Sequence, residues 1–117
     1  MPYRVLLDGL LRSIRGAEGA LLVDATGEVV VEAGGSRDRH RLIGAYQGIL
    51  LGQVRRAVER LSTGHVIQLV WRYSAGSVIV RPLKDGYFLV VSLSPSANLG
   101  EALHRSAGAQ TRMNEEL

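Results

Sequence analysis

Residues 37–61 read RDRHRLIGAYQGILLGQVRRAVERL, a stretch without proline and too long for a strand. It predicts a helix from Arg37 to about Leu61, around which the other elements arrange. At 3.6 residues per turn, Ile43, Tyr46, Leu50, Val54, Ala57, Val58 and Leu61 fall on one broad apolar face. Leu42, Ala45 and Ile49 widen that face in the first half, beyond what a helix lying on a single sheet needs. Gly44, Gly48 and Gly52 recur every fourth residue on a flank away from the apolar centre. Each costs a helix about 1 kcal/mol relative to alanine, so the ridge needs an offset. Removing Cβ atoms along a ridge lets another backbone approach closely. The ridge either packs on the chain's own sheet or meets a second copy of the same helix, and the second arrangement is the expectation, with Ile49 sharing the contact.

Working outward, Tyr3–Arg15 is a shorter amphipathic helix with Val5, Leu6, Leu7, Leu10, Leu11 and Ile14 towards the core. Arg4, Asp8 and Arg12 lie four apart as a surface ion-pair ladder, and Gly16 ends the helix. Gly19–Asp24 and Glu28–Glu32 read as a hairpin joined at Ala25-Thr26-Gly27. Gly34-Gly35-Ser36 breaks the second strand, and Ser36 is an N-cap for the long helix. Downstream, Ser62-Thr63-Gly64 stops that helix. His65–Tyr73 then alternates, Ile67, Leu69, Trp71 and Tyr73 pointing one way and Val66, Gln68, Val70 and Arg72 the other. Such half-polar alternation suits an edge strand. Val78–Arg81 is closed by Pro82, Lys84-Asp85-Gly86 is a hairpin turn, and Tyr87–Leu93, apolar on both faces, belongs at the centre of a sheet. Asn98 and Glu101 can form a capping box for a last helix from Ala97 to about Glu116. Its thin stripe of Leu99, Leu103 and Met113 predicts weak packing or a partner. The order α-β-β-α-β-β-β-α gives an α/β (α+β) sandwich, one antiparallel sheet with helices on both faces, as a single domain over residues 1–117.

At 117 residues, 46% hydrophobic and 21% charged, the chain has the composition of a folded globular domain. No apolar run approaches the roughly 18 residues of a membrane span, and the N-terminus lacks a signal-peptide pattern, so membrane insertion is not expected. The absence of cysteine excludes thiol chemistry and fits a reducing cytoplasm. The net charge is +3 and the pI about 9.8, but acidic residues are interspersed and Lys84 is the single lysine among 14 basic residues. The arginine skew fits a GC-rich genome, and with only 5% aromatic residues a nucleic-acid partner is not expected. His40, His65 and His104 share no ligand spacing and read as surface or rim residues, which leaves no metal site. No nucleophile elbow or carboxylate pair marks an enzyme, and no cofactor is indicated. Gly34-Gly35-Ser36-Arg37 offers a weak anion signal at a helix N-terminus, read here as a solvated turn. Arg55, Arg56 and Glu59 form a charged cluster, either a solvated face or the rim of a protein contact.

Gly16-Ala-Glu-Gly-Ala-Leu-Leu-Val-Asp24 with Thr26-Gly27-Glu28-Val29-Val30 resembles the first hairpin of the Roadblock / dynein light-chain family. The bacterial branch of that family includes the MglB-type regulators of gliding-motility GTPases. Asp85-Gly86-Tyr87-Phe-Leu-Val-Val91 followed by Ala97-Asn98-Leu99-Gly100 is similar to the family's last strand and its entry into the final helix. The resemblance covers nearly the whole chain. It implies a homodimer in which two five-stranded sheets join through their third strands, here through Val66, Gln68 and Val70. The central helices would pair on one face along Gly44, Gly48, Gly52 and Ile49. It also implies a non-enzymatic regulator or scaffold for a small Ras-like GTPase, with paralogous Roadblock proteins as further partners. If the paired helices form the GTPase platform, the charged residues outside the core and the seam, Arg55, Arg56 and Glu59, are the expected contacts. The family has no catalytic motif to carry over. A small-ligand-sensing or general adaptor domain without a GTPase partner is the alternative.

Overall fold

The structure is a computed structural model, and it describes residues 2–117. In chain order the elements are α1 (Pro2–Ser13), β1 (Ala17–Val23), β2 (Val29–Gly34), α2 (Arg37–Leu61), β3 (Leu69–Tyr73), β4 (Gly76–Pro82), β5 (Phe88–Leu93) and α3 (Leu99–Glu116). The five strands form one antiparallel sheet in the order β2-β1-β5-β4-β3. This is the expected α+β sandwich. β5 lies in the middle and all six of its residues are buried, as its uninterrupted apolar run requires.

Strand alternation divides the core into two layers. Ala20, Leu22, Ile79, Leu89, Val91 and Leu93 face α1 and α3, where Leu7, Leu10, Ile14, Ala102, Ala109 and Met113 cover them. Leu21, Val23, Val78, Val80, Phe88 and Val90 face the other way, with Leu51 of α2. Fully burying a side chain of this size stabilises by about 1.5–3 kcal/mol, so both layers contribute. α1 turns Val5 outward, away from the core face expected of it.

α2 begins at its N-cap, where Ser36 Oγ accepts from Arg39 N at 3.2 Å, and ends with Ser62 in a left-handed conformation. At the α3 N-terminus only half of the expected capping box forms. Asn98 Oδ1 accepts from Glu101 N at 2.9 Å, while Glu101 Oε1 accepts from the backbone N–H of Arg15 at 3.2 Å. That bond ties the start of α3 to the end of α1. Lys84-Asp85-Gly86 is a 3-10 turn with Asp85 at φ 59°, and Leu83 N donates to Tyr87 O at 2.8 Å to close the hairpin.

α3 is not the loosely held helix its thin stripe suggested. Ala102, Ser106, Ala109 and Met113 are buried against the sheet, and small side chains there allow close approach. Arg81 on β4 is only 4% exposed and reaches across to α3. Its Nε donates to Ser106 Oγ at 2.9 Å, one Nη to Gln110 Oε1 at 3.1 Å and the other to Leu103 O at 2.8 Å. Gln110 in turn donates to Pro82 O at 2.7 Å. Burial pushes the Arg81 guanidinium below the usual arginine range, and every acceptor it has is neutral.

Candidate functional site

Gly44 and Gly48 do not face a second helix. A Cβ on Gly44 would lie 3.2 Å from Val29 Cγ2 and 3.4 Å from Gly27 O, and one on Gly48 would lie 3.4 Å from Phe88 Cζ. Both glycines bring α2 down onto its own sheet, which corrects the expected seam. At Gly44 the cost in helix propensity is offset by the close approach. Gly52 lies past this contact, and the only neighbour an added Cβ would meet is Arg56 of its own helix, at 3.5 Å.

With the glycine side turned inward, the helix rotates the rest of its apolar surface out. His40, Gly44 and Leu51 are its buried residues, whereas Leu42 (61%), Tyr46 (62%) and Ile49 (57%) are exposed. These three recur at helical spacing and form one stripe along the outer face. Tyr46, Ala57 and Leu61 were expected at the core and instead face out. Ile49, expected to share a contact along the glycine ridge, is exposed on this stripe.

The two sheet edges differ. On β2, Leu22 pairs with Val31 and Val23 with Val29, so Val30 is a bulge that interrupts the ladder. Bulges of this kind blunt an edge against further strands. β3 runs from Leu69 opposite Val80 to Tyr73 opposite Gly76 without a shift, and its outer side has no strand beside it. Its ladder starts later than expected, leaving Val66, Ile67 and Gln68 ahead of the strand, with Ile67 exposed. Val70 packs into the α1/α3 layer. Trp71 packs into the α2 layer; neither its Nε1 nor Gln47 Oε1 of α2, both buried, has a hydrogen-bond partner among the described residues.

Arg55 is half-buried, and Arg56 and Glu59 are exposed on the last turns of α2. Arg55 and Glu59 border a groove with His65 and Val66, which joins the end of α2 to the segment leading into β3. His40 is not a rim residue. It is 2% exposed, its Nδ1 lies 3.4 Å from Glu32 Oε1, and a Cβ on Gly19 or Gly35 would press on its Nε2 at 2.7 or 2.5 Å. Two glycines thus make room for an imidazole that pins the start of α2 to β1 and β2. Among the described residues, no group of three or more His, Asp or Glu is placed to hold a metal ion. Among the same residues, no helix is long and apolar enough to cross a membrane.

Comparison with known proteins agrees with this architecture. The Roadblock/LC7 domain family model matches residues 4–93, and the chain belongs to that family. No curated protein sequence shows significant similarity to it. Among solved structures, a Roadblock/LC7 domain from Streptomyces avermitilis superposes with a TM-score of 0.89 at 21% identity, covering 97% of this chain and 95% of that one. Myxococcus xanthus MglB gives 0.89 at 15% identity, covering 98% and 94%. An MglB described with a tetrameric arrangement gives 0.88 at 17% identity, covering 97% and 86%.

Proposed function

We propose that the chain is a homodimeric, non-enzymatic regulator or scaffold that binds a small Ras-like GTPase and modulates its GTPase cycle in the cytoplasm. The observation that carries the dimer is the pairing of an unblunted β3 edge with an apolar stripe on the outer face of α2. Extending the sheet through β3 satisfies that strand's unpaired backbone groups, and joining two copies of α2 through Leu42, Tyr46 and Ile49 removes the stripe from water. Membership of the Roadblock/LC7 family and the likeness to MglB support the regulatory reading. A GTPase partner is what the sequence resemblance implies. Arg55, Arg56 and Glu59 are the residues assigned to it, with a paralogous Roadblock chain as a further partner.

The test is light scattering at micromolar concentration with the double variant Tyr46→Glu, Ile49→Glu. The parent chain is expected at twice 12.7 kDa, and the variant at the protomer mass with unchanged circular dichroism. Surface substitutions usually move stability by less than about 0.5 kcal/mol. A parent chain that runs as a protomer overturns the dimer. A variant that stays dimeric removes the α2 stripe from the interface.

A further inference from the structure

On the layer opposite α2, helices α1 and α3 leave an open groove between them. One hollow of about 510 Å³ is bounded by Leu6, Gly9 and Leu10 of α1 and by Arg105, Gly108 and Arg112 of α3. The groove continues past Leu6 and Arg112 into a second hollow of about 360 Å³ that reaches Val5. A Cβ on Gly9 or Gly108 would meet nothing within 4 Å. Unlike Gly44, these two are not required by packing within the chain, although glycine is among the poorest helix formers. The charge is one-sided. Arg105 and Arg112 border the first hollow and, among the described residues, no carboxylate does; Glu115 and Glu116 enter only at the far end. Leu6 and Leu10 thus give the groove an apolar wall, Gly9 and Gly108 leave it open, and Arg105 and Arg112 make its rim cationic.

We propose that this groove docks an acidic amphipathic helix of a partner protein. The twelve residues of α1 extend about 18 Å at 1.5 Å per residue, which sets the occupant at about three turns. Aliphatic side chains spaced along one face of such a helix meet Leu6, Leu10 and the exposed Val5. The missing Cβ atoms at Gly9 and Gly108 let its backbone come close. Carboxylates on its flank pair with Arg105 and Arg112, which sets orientation and excludes basic helices. The groove and the proposed dimer surface lie on opposite sides of the sheet, so each stands or falls without the other.

The experiment uses the full chain, labelled with nitrogen-15, and two synthetic helical peptides of about three turns. Both carry leucine along one face; one has glutamate on its flanks and the other lysine. The glutamate peptide should shift the amide signals of Gly9 and Gly108, while the lysine peptide should not bind. Gly108→Leu fills the groove at an exposed helix position and should weaken the glutamate peptide by about tenfold or more, with signal dispersion retained. Gly9→Leu, from the opposite wall, should do the same. Equal binding of both peptides, unchanged affinity in both filled variants, or shifts confined to the outer face of α2 would each overturn the proposal. Sedimentation of the chain with phosphatidylglycerol vesicles, lost in Gly108→Leu and without peptide binding, would assign the groove to a lipid surface and overturn it equally.

Discussion

Arg81 gives the most exacting test of how this fold is held together. Its guanidinium makes three hydrogen bonds to α3 with no carboxylate in reach. Two opposing quantities follow from that arrangement. A hydrogen bond from a charged donor contributes about 1.5–3 kcal/mol net, so the three together contribute at least about 4.5 kcal/mol. Burying the charge costs several kcal/mol. Arg81→Met removes both and keeps the apolar stem. Ser106 Oγ still donates to Leu103 O at 3.2 Å, and Gln110 still donates to Pro82 O, so Gln110 Oε1 is the main group left unpaired. The net loss should be about 1–2 kcal/mol. Arg81→Lys keeps the charge buried, but a single ammonium cannot meet acceptors spread over two turns of α3. Losing two of the three bonds while retaining the desolvation cost should take about 3 kcal/mol. Urea denaturation of both variants at one fixed protomer concentration reads this directly, because the proposed dimer would make the midpoint concentration-dependent. The conservative replacement should be the more damaging one. If Arg81→Lys proves as stable as the parent, or more stable than Arg81→Met, the three-acceptor clamp is not what secures α3.

Gly48→Ala should stabilise by several tenths of a kcal/mol through helix propensity, since its Cβ finds ordinary contact with Phe88. Gly48→Leu should destabilise the protomer by about 1–3 kcal/mol through overpacking, read as a lower thermal midpoint. In the turn between β1 and β2, the Asp24 carboxylate accepts from the Thr26 hydroxyl at 2.6 Å and from the N–H groups of Thr26 and Glu28. These bonds, the hydroxyl's first, hold its pKa below the ordinary value. The stabilisation is full above the unfolded aspartate pKa of about 3.9 and is lost as pH falls through the lower folded value. Asp24→Asn should flatten the acid limb of urea midpoint against pH, and superimposable profiles would remove the turn from the account. Arg55→Glu with Arg56→Glu should slow association with a small GTPase and reduce its salt dependence; stopped-flow binding at two ionic strengths that finds no change would move the site off α2.

Periodicity exposed the element order because each strand is either fully apolar or alternating, and because α2 runs unbroken from a serine cap to a Ser-Thr-Gly stop. It did not show which side of α2 meets the sheet. The middle turns of that helix carry apolar residues on more than one side, and a ridge without side chains suits its own sheet as well as a foreign helix. The structure settles the choice through Val29 and Phe88, which no local window places beneath Gly44 and Gly48. His40 was misplaced for a similar reason: the glycines that shelter it belong to β1 and to the loop after β2. The signal for Arg81 was present, since it stands two residues from Ile79 on the same side of a buried strand. Its partners lie on a helix that starts after the last strand, so only the tertiary fold shows that an arginine there is satisfied. The early residues of the expected third strand, Val66 and Gln68, alternate correctly but lie ahead of the β3 ladder, which begins at Leu69 opposite Val80.

The position of β5 has a consequence for how the chain is made. The strand that joins the two halves of the sheet is the last to be synthesised, and β1 pairs with it from Ala17 opposite Leu93 to Val23 opposite Phe88. At roughly 5–20 residues per second, several seconds separate the emergence of the first hairpin from that of its central neighbour. Throughout that interval the nascent chain carries β1 with one side unpaired and α2 with no complete sheet to lie on. Two such chains on neighbouring ribosomes present each other with the same open edges, so the sheet is most exposed to mispairing before Leu93 has emerged.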